Sequence, residues 1–333
     1  MATAPASPLV LICGLDHANI QEEEDVFARS GVRHAIVPAR SEAEYLERCG
    51  GADGLLVQYG ALTRRVFGGL PRLRVVVRYG VGVDGIDVAA ATDHRVPVVN
   101  VPDYGTDEVA NHAVALLLAL ARKLVRLDRQ TRAGAWDVFR VGPVARLAGR
   151  TVGLIGCGRI GSAVARKLGG FDVRLLGYDP YVAAFPPGVQ PVGLERLLAD
   201  SDYVTIHCPL TPDTRHLLNA ETLARMRPSA VLINTARGGI VDTGALVEAL
   251  RMGTLAGAGL DVLEQEPIDP ASPLLRMEQV IVTPHAAWYS EEGRSDLKRR
   301  AAEEAVRVLR GERPRHCVNP EALGDGPARA AGA

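Results

Sequence analysis

The feature that most constrains this chain is the glycine-spaced turn Gly156-Cys157-Gly158-Arg159-Ile160-Gly161. It lies between the apolar run Thr151-Val152-Gly153-Leu154-Ile155 and a segment patterned as a helix. A second apolar run, residues 173–178, closes on Asp179. Strand, glycine turn, helix N-terminus and acid, in that order, specify a βαβ unit whose first turn cradles a dinucleotide. The first glycine permits the tight turn, the second lets backbone N–H groups approach a pyrophosphate, and the third lets the helix lie close to its strand. The helix N-terminus adds partial positive charge. Asp179, at the strand end, can accept from the adenosine ribose hydroxyls and would repel a 2′-phosphate, so NAD is expected over NADP.

The chain has 333 residues, enough for two domains on ordinary domain sizes. Short β-branched runs alternate with longer amphipathic stretches, the rhythm of parallel sheets covered by helices on both faces. Strands are expected at residues 9–15, 35–38, 54–58, 75–79 and 96–101, forming a first α/β unit without a glycine motif of its own. A helix capped by Thr106, with Asp107 and Glu108 in its first turn, is expected to run to about Gln130, and Gly134 can end it. The nucleotide unit begins at Thr151, with strands expected at 151–155, 173–178, 203–207, 231–235, 258–262 and 280–283. A charged amphipathic helix over 290–310 follows, closed by Gly311, Pro314 and Pro320. The expected fold class is therefore α/β, with two doubly wound, Rossmann-like domains, parallel sheets and a cleft between them where a small substrate would bind.

Hydrophobic residues make up 47% of the chain and charged residues 23%, which fits a soluble globular protein rather than a disordered one. A net charge of −1 gives no footprint for nucleic acid or for an anionic membrane. Of the 38 basic residues only Lys123, Lys167 and Lys298 are lysines, a bias that reads as genome composition. The longest aliphatic stretch, residues 113–121, is well short of the ~20 residues that cross a bilayer. The first eight residues lack the features of a secretory signal and read as a loose tail. Five cysteines with no C-x-x-C pair suit a reducing cytoplasm. They show no zinc-like spacing, so no metal is expected.

Four further apolar runs end in polar groups: His207-Cys208-Pro209-Leu210-Thr211, Asn234-Thr235-Ala236-Arg237-Gly238-Gly239, Asp261 through Pro267, and Thr283-Pro284-His285-Ala286-Ala287-Trp288. In an open parallel sheet the carboxyl ends of strands face the ligand crevice, so these segments should share one rim. Reduction of a 2-oxo acid by NADH needs a cation for the carboxylate and carbonyl, a proton donor for the developing alkoxide, and a group that keeps that donor protonated. Arg237, His285 and Glu266 meet those needs. Guanidinium binds carboxylate in a fork, and a carboxylate beside an imidazole orients it and favours its proton. Asp261, directly at a strand end, suits the nicotinamide or ribose region. The residues alone also admit Arg237 as a surface group, Glu264 as the acid in place of Glu266, and His285 as a core histidine. Cys157 and Cys208 read as unreactive neighbours of the cofactor.

Together these segments resemble the D-isomer-specific 2-hydroxyacid dehydrogenase family: GxGxxG with a following Asp, an N-x-x-R-G turn, a D-to-E-P segment and a T-P-H. The likeness runs from about Gly54 to Asn319. His285-Ala286-Ala287-Trp288-Tyr289-Ser290 and Tyr178-Asp179-Pro180-Tyr181 look most like its C-terminal-binding-protein branch. Val77-Arg78-Tyr79-Gly80-Val81-Gly82-Val83-Asp84 is similar to that branch's substrate loop.

The resemblance implies that Arg237, Glu266 and His285 are catalytic, with His285 the acid in reduction and the base in oxidation. It implies that N–H groups of Val81 and Gly82 hold the substrate carboxylate with Arg78 nearby. Trp288 would meet the substrate side chain, hinting at an apolar or thioether substituent, or pack at the domain junction. NAD would contact Ile155, Gly156, Gly158, Arg159, Ile160, Gly161, Asp179, His207, Cys208, Pro209, Asp213, Thr235, Ala236 and Asp261. It further implies a homodimer built on the nucleotide domain and its long helix. The domains would be residues 1–102 with 288–322, for substrate and catalysis, and 103–287 for NAD, leaving 323–333 as a disordered tail. Glu266 disfavours the formate dehydrogenase relatives, which carry glutamine there. The short stretch after residue 320 disfavours a long, feedback-regulated phosphoglycerate dehydrogenase, while a short type stays open. The expected activity is interconversion of a small 2-oxo acid and its D-2-hydroxy acid. The alternative is an NAD(H)-sensing, corepressor-like binding protein.

Overall fold

The computed structural model describes residues 7–15 and 19–324. The tails expected at the two ends therefore lie largely outside the described residues, in 1–6 and 325–333. Leu323, placed in the expected C-terminal tail, instead closes a short 3-10 turn, Pro320–Leu323. The chain divides into two compact units, one formed by residues up to Tyr104 and from Ser290 onward, the other by Gly105–Tyr289.

The first unit carries β1 (Leu9–Cys13), α1 (Gln21–Ser30), β2 (Arg33–Val37), α2 (Glu42–Arg48), β3 (Gly54–Val57), α3 (Arg64–Gly69), β4 (Val75–Arg78), α4 (Val88–Asp93) and β5 (Val98–Val99). Its strands pair in parallel in the order β2-β1-β3-β4-β5. Successive residues of a strand point to opposite faces. Val10 and Ile12 thus pack with Phe27 of α1, while Leu11 and Cys13 pack with Tyr45 and Phe67 beneath α2 and α3. Both faces are covered, as a parallel sheet requires.

The second unit follows as α5 (Thr106–Ala121), α6 (Leu124–Arg132), β6 (Thr151–Ile155), α7 (Arg159–Leu168), β7 (Arg174–Tyr178), β8 (Val189–Pro191), α8 (Leu194–Asp200), β9 (Tyr203–Ile206), α9 (Ala220–Ala224), β10 (Val231–Asn234), α10 (Thr243–Arg251), β11 (Gly257–Leu260) and β12 (Val280–Val282). The sheet is parallel with order β12-β11-β10-β9-β6-β7-β8, and the strand order reverses between β6 and β9. That switch point is where such sheets open a crevice at their carboxyl ends. Val152 and Leu154 pack toward α5 and α7, and Ile155, Ile206 and Leu260 pack on the other face. Helix α11 (Glu291–Leu309), capped by the Ser290 hydroxyl on the Gly293 N–H, returns to the first unit, where Leu297, Ala301 and Val308 join the core beside β1 and β4.

Three expectations need correcting. The helix expected from 106 to about 130 is two helices, because Lys123 takes a left-handed conformation at φ 53°. Its ammonium donates to the Val141 carbonyl at 2.6 Å, and the chain turns from the buried apolar α5 to α6, which buries no residue. Periodicity alone does not see such a break, since the pattern continues across it. Gly105, not Thr106, is the N-cap of α5, without a side-chain bond. Strand β8 was not expected, being only three residues long.

Candidate active site

The glycine turn is built as its spacing demands. Gly156 sits at φ 93°, and a β-carbon there would meet the Cys208 nitrogen at 2.5 Å and the His207 carbonyl carbon at 2.7 Å. A β-carbon on Gly161 would run into the Gly156 carbonyl, so the third glycine seats α7 against the strand end. Nothing lies within 4 Å of a β-carbon on Gly158, the N-cap of α7, which leaves that face of the turn open. Ile155 is buried beneath the turn and Arg159 is exposed at the first position of α7. Asp179 is held by three backbone donors: the Cys157 N–H reaches Oδ2 at 2.8 Å, and the N–H groups of Tyr181 and Val182 reach Oδ1 at 2.9 and 3.3 Å. The carboxylate is thereby fixed at the end of β7.

Two buried polar atoms on this rim have no hydrogen-bond partner among the described residues: His207 Nδ1 and Thr235 Oγ1. Buried polar atoms are normally paired, so an orphaned pair beside an open glycine turn fits a polar ligand. The residues present therefore suit a dinucleotide. Burial lowers the His207 imidazole to about 3, so the ring is neutral, with Nε2 3.0 Å from Thr205 Oγ1. Burial and the Asp179 charge raise the Cys157 thiol to about 12, and burial raises Cys208 to about 11. Neither is a thiolate at neutral pH, so both are poor nucleophiles. Pro209 and Asp213 lie in the loop after β9, where the Thr214 hydroxyl donates to the Pro209 carbonyl at 2.7 Å.

The loops after β10, β11 and β12 bring the catalytic candidates together. His285 Nδ1 lies 2.7 Å from Glu266 Oε2, and the other oxygen of Glu266 accepts from the Leu263 N–H at 2.9 Å. Burial pushes the Glu266 carboxyl up, but the His285 hydrogen bond, the Leu263 N–H and the nearby Arg237 charge together hold it below the usual carboxylate range. Arg237 is placed by its own turn: buried Asn234 donates to the Arg237 carbonyl at 2.9 Å and accepts from the Ala236 N–H at 3.0 Å. A β-carbon on Gly238 would collide with the Leu263 carbonyl and the Glu264 nitrogen, so the Arg237 turn lies directly on the loop that carries Glu266. Glu264, the competing acid, is occupied elsewhere. It bonds His216 Nε2 at 2.6 Å and the Thr243 N–H at 2.7 Å, tying the 263–266 loop to the start of α10.

Asp261 is buried and acts on the His285 turn. Its Oδ1 accepts from the Thr283 hydroxyl at 2.5 Å and the Ala286 N–H at 2.9 Å, and its Oδ2 accepts from the Ala287 N–H at 2.9 Å. His112 on α5 reaches the same cluster, with Nε2 2.9 Å from Thr283 Oγ1 and 3.5 Å from Asp261 Oδ1. Trp288 follows in the second unit, its ring edge-on to Tyr289 at 5.6 Å. In the first unit, Arg78 ends β4 and its guanidinium donates to the Tyr79 carbonyl. The loop beyond it is held by Asn100, which donates to the Val81 carbonyl at 2.7 Å. Among the described residues the N–H groups of Val81 and Gly82 have no backbone acceptor.

The sequence profile described as "D-isomer specific 2-hydroxyacid dehydrogenase, NAD binding domain" matches residues 114–287. A glyoxylate reductase of Korarchaeum cryptofilum is 44% identical over 291 residues, covering 85% of this chain and 87% of that protein. The chain belongs to the D-isomer specific 2-hydroxyacid dehydrogenase family. A D-3-phosphoglycerate dehydrogenase of Methanocaldococcus jannaschii is 40% identical over 289 residues, 85% of this chain but 55% of that longer protein. Among solved structures, an acyclic imino acid reductase in complex with NADPH and D-Arg superposes with a TM-score of 0.85 at 28% identity, covering 93% of this chain and 99% of that one. The chain is thus an oxidoreductase of the 2-hydroxyacid dehydrogenase class, acting on a CH–OH group with a nicotinamide dinucleotide.

Within this dehydrogenase, His112 and His216 escaped the sequence reading. A signal existed for His112: Leu116 and Leu120, at helical spacing from it, lie against Gly259 of β11, so position 112 is a polar residue on a buried face. For His216 there was none, since its partner Glu264 is distant in sequence and its loop has no periodicity.

Proposed function

We propose that this dehydrogenase uses NAD(H) to interconvert a small 2-oxo acid and its D-2-hydroxy acid. The observation that carries the reading is the 2.7 Å pairing of His285 with Glu266, beside Arg237, on the carboxyl rim that also holds Gly156 and Asp179. When bound, the reduced nicotinamide supplies a hydride. In this proposal Ile155, Gly156, Gly158, Arg159, Ile160, Gly161, Asp179, His207, Cys208, Pro209, Asp213, Thr235 and Ala236 hold the dinucleotide. Asp179, fixed by three N–H groups, disfavours a 2′-phosphate and so sets the choice of NAD.

Arg237 takes the fork role toward the substrate's carboxylate and carbonyl. His285 gives a proton from Nε2 to the forming alkoxide in reduction and removes it in oxidation, because Nδ1 is engaged by Glu266. Glu266 stabilises the imidazolium and fixes the ring. The carboxylate-holding role goes to the Val81 and Gly82 N–H groups with Arg78, and the side-chain contact to Trp288, on the family likeness. Glyoxylate is the first substrate to try, given the named relatives.

The proposal includes a homodimer. Trp136 is 91% exposed and Phe139 86% exposed in the segment after α6, a helix that buries none of its residues, and a second copy of this surface is the natural cover. All five cysteines are free, which accords with a reducing compartment.

A panel of 2-oxo acids with NADH, followed by NADH absorbance, tests the activity. Turnover is expected on at least one acid, and His285→Ala should abolish it, by a factor of about 10² to 10⁴, with NADH still bound. Tight NADH binding without turnover on any acid would favour a nucleotide-sensing role instead.

A further inference from the structure

The parallel sheet of the second unit has a second edge, at the amino ends of its strands, that the chemistry above does not use. A shallow basin of about 570 Å³ opens there. Four arginines line it, Arg146, Arg150, Arg174 and Arg227, against a single acidic residue, Asp202. Arg174 begins β7, Thr151 begins β6 and Asp202 immediately precedes β9. At ~3.3 Å per residue, five-residue strands put this edge roughly 16 Å from the glycine turn and Asp179.

The one acid is already engaged. Asp202 Oδ2 accepts from the Thr151 N–H at 2.9 Å, while Oδ1 lies 3.0 Å from Arg150 Nη1 and 3.5 Å from Arg227 Nη1. Arg146 and Arg174 pair with no carboxylate among the described residues. Three of the four heads are pinned through Nε: Arg150 to the Arg146 carbonyl at 3.3 Å, Arg174 to Thr151 Oγ1 at 3.2 Å, and Arg227 to the Ala199 carbonyl at 3.0 Å. Pinning Nε fixes the plane of a guanidinium and leaves the Nη groups of Arg174, and Nη2 of Arg150 and Arg227, for another acceptor. The turn that carries Arg146 and Arg150 is itself fixed, with Leu147 packed on the core, Gly149 at φ 80°, and the Gly149 N–H donating to the Asp172 carbonyl at 2.8 Å.

We infer that this basin is a binding site for a small anion carrying a chain of phosphoryl groups. Guanidinium forks match tetrahedral oxyanions in charge and geometry, and for the three pinned heads side-chain entropy is already spent. Several such groups in one basin require a ligand with more than one anionic centre. The only apolar side chain in the lining is Ala148, which offers no face for a base to stack on, so recognition ends at the phosphates. A nucleoside triphosphate and an inorganic polyphosphate share that chemistry.

Calorimetric titration of the full-length protein, saturated with NADH so that the dinucleotide turn is filled, tests the site. Tripolyphosphate and ATP should bind within about threefold of one another, and citrate at least tenfold more weakly. Arg146→Ala/Arg174→Ala should weaken tripolyphosphate at least tenfold, and Arg146→Ala alone severalfold, while Arg251→Ala on α10 should leave it unchanged. Thermal melting of the variants checks that they are folded, and among the described residues neither Arg146 nor Arg174 is part of an ion pair. No binding of either phosphate to the wild type, equal affinity in the double variant, equal loss in Arg251→Ala, or citrate as tight as tripolyphosphate would each overturn the assignment. A preference for ATP above tenfold would overturn recognition by phosphates alone.

Discussion

The backbone N–H of His285 donates to the carbonyl of Asp261 at 2.9 Å, and the carboxylate of the same aspartate takes the next two N–H groups, of Ala286 and Ala287. One buried residue therefore fixes the turn on which the imidazole stands. His285 has φ 53°, a left-handed conformation that a non-glycine residue holds only where its surroundings over-determine it. The strand-end position of Asp261 suggested a contact to the cofactor. Its carboxylate also makes three acceptor bonds to the turn that carries His285.

Asp261→Asn should separate positioning from nucleotide binding. An amide keeps one acceptor oxygen for Thr283 and Ala286 but turns a donor toward the Ala287 N–H, leaving a buried clash of donors. A loss of about 2 kcal/mol in stability is expected. We expect kcat to fall at least tenfold while NADH affinity, read by fluorescence titration, changes less than threefold. An equal loss in NADH affinity would return Asp261 to the cofactor.

Glu266→Gln should move the pH profile. The carboxylate, held below its usual range, favours the proton on its imidazole partner. Reduction needs that proton, and oxidation needs the free base. Without the charge the alkaline limb of reduction and the acid limb of oxidation should both move acidward. An unchanged profile in both directions would reject the pairing as functional.

Asp179→Ala removes the carboxylate that three N–H groups hold at the end of β7. The ratio of kcat/KM for NADH to that for NADPH should fall at least tenfold, about 1.4 kcal/mol, mostly through NADPH gaining. A constant ratio would show that another group excludes the 2′-phosphate.

These residues also show what was legible in the sequence. Both sheets were, β8 apart, because strand and helix periods differ and parallel strands buried on both faces read as short apolar runs. The glycine turn and Asp179 were legible because each constraint there is local. The choice between Glu264 and Glu266 was not. Two residues apart in one loop, they were separable only by what each meets, His216 for one and His285 for the other. The break at Lys123 was hidden because the helical pattern runs through it. The arginine basin was hidden because its four members come from three separate segments, in a chain where arginine is common.

Acid stability should carry the mark of His207. Burial holds its pKa at about 3 against an ordinary 6.5, so the unfolded chain binds a proton that the folded chain refuses. The stabilisation is fully present above about 6.5 and is lost as pH falls toward 3, at up to about 1.4 kcal/mol per pH unit. His207→Asn should flatten the pH dependence of denaturant midpoints in that window. A dependence as steep as the wild type's would place the acid-sensitive group elsewhere.

Gly238→Ala tests whether the Arg237 turn depends on its contact with the loop carrying Glu266. A methyl group there has no room, because the Leu263 carbonyl and the Glu264 nitrogen occupy its place and backbone cannot step aside as a side chain does. The turn must move, at a cost of about 1 to 3 kcal/mol in stability, and Arg237 moves with it. KM for the 2-oxo acid should rise at least tenfold while NADH binding is retained. Gly169→Ala is the matched control: it sits at φ −56° with nothing within 4 Å of a β-carbon, and should change stability by less than about 1 kcal/mol. If Gly238→Ala behaves like Gly169→Ala, the packing of these two loops does not set the position of Arg237.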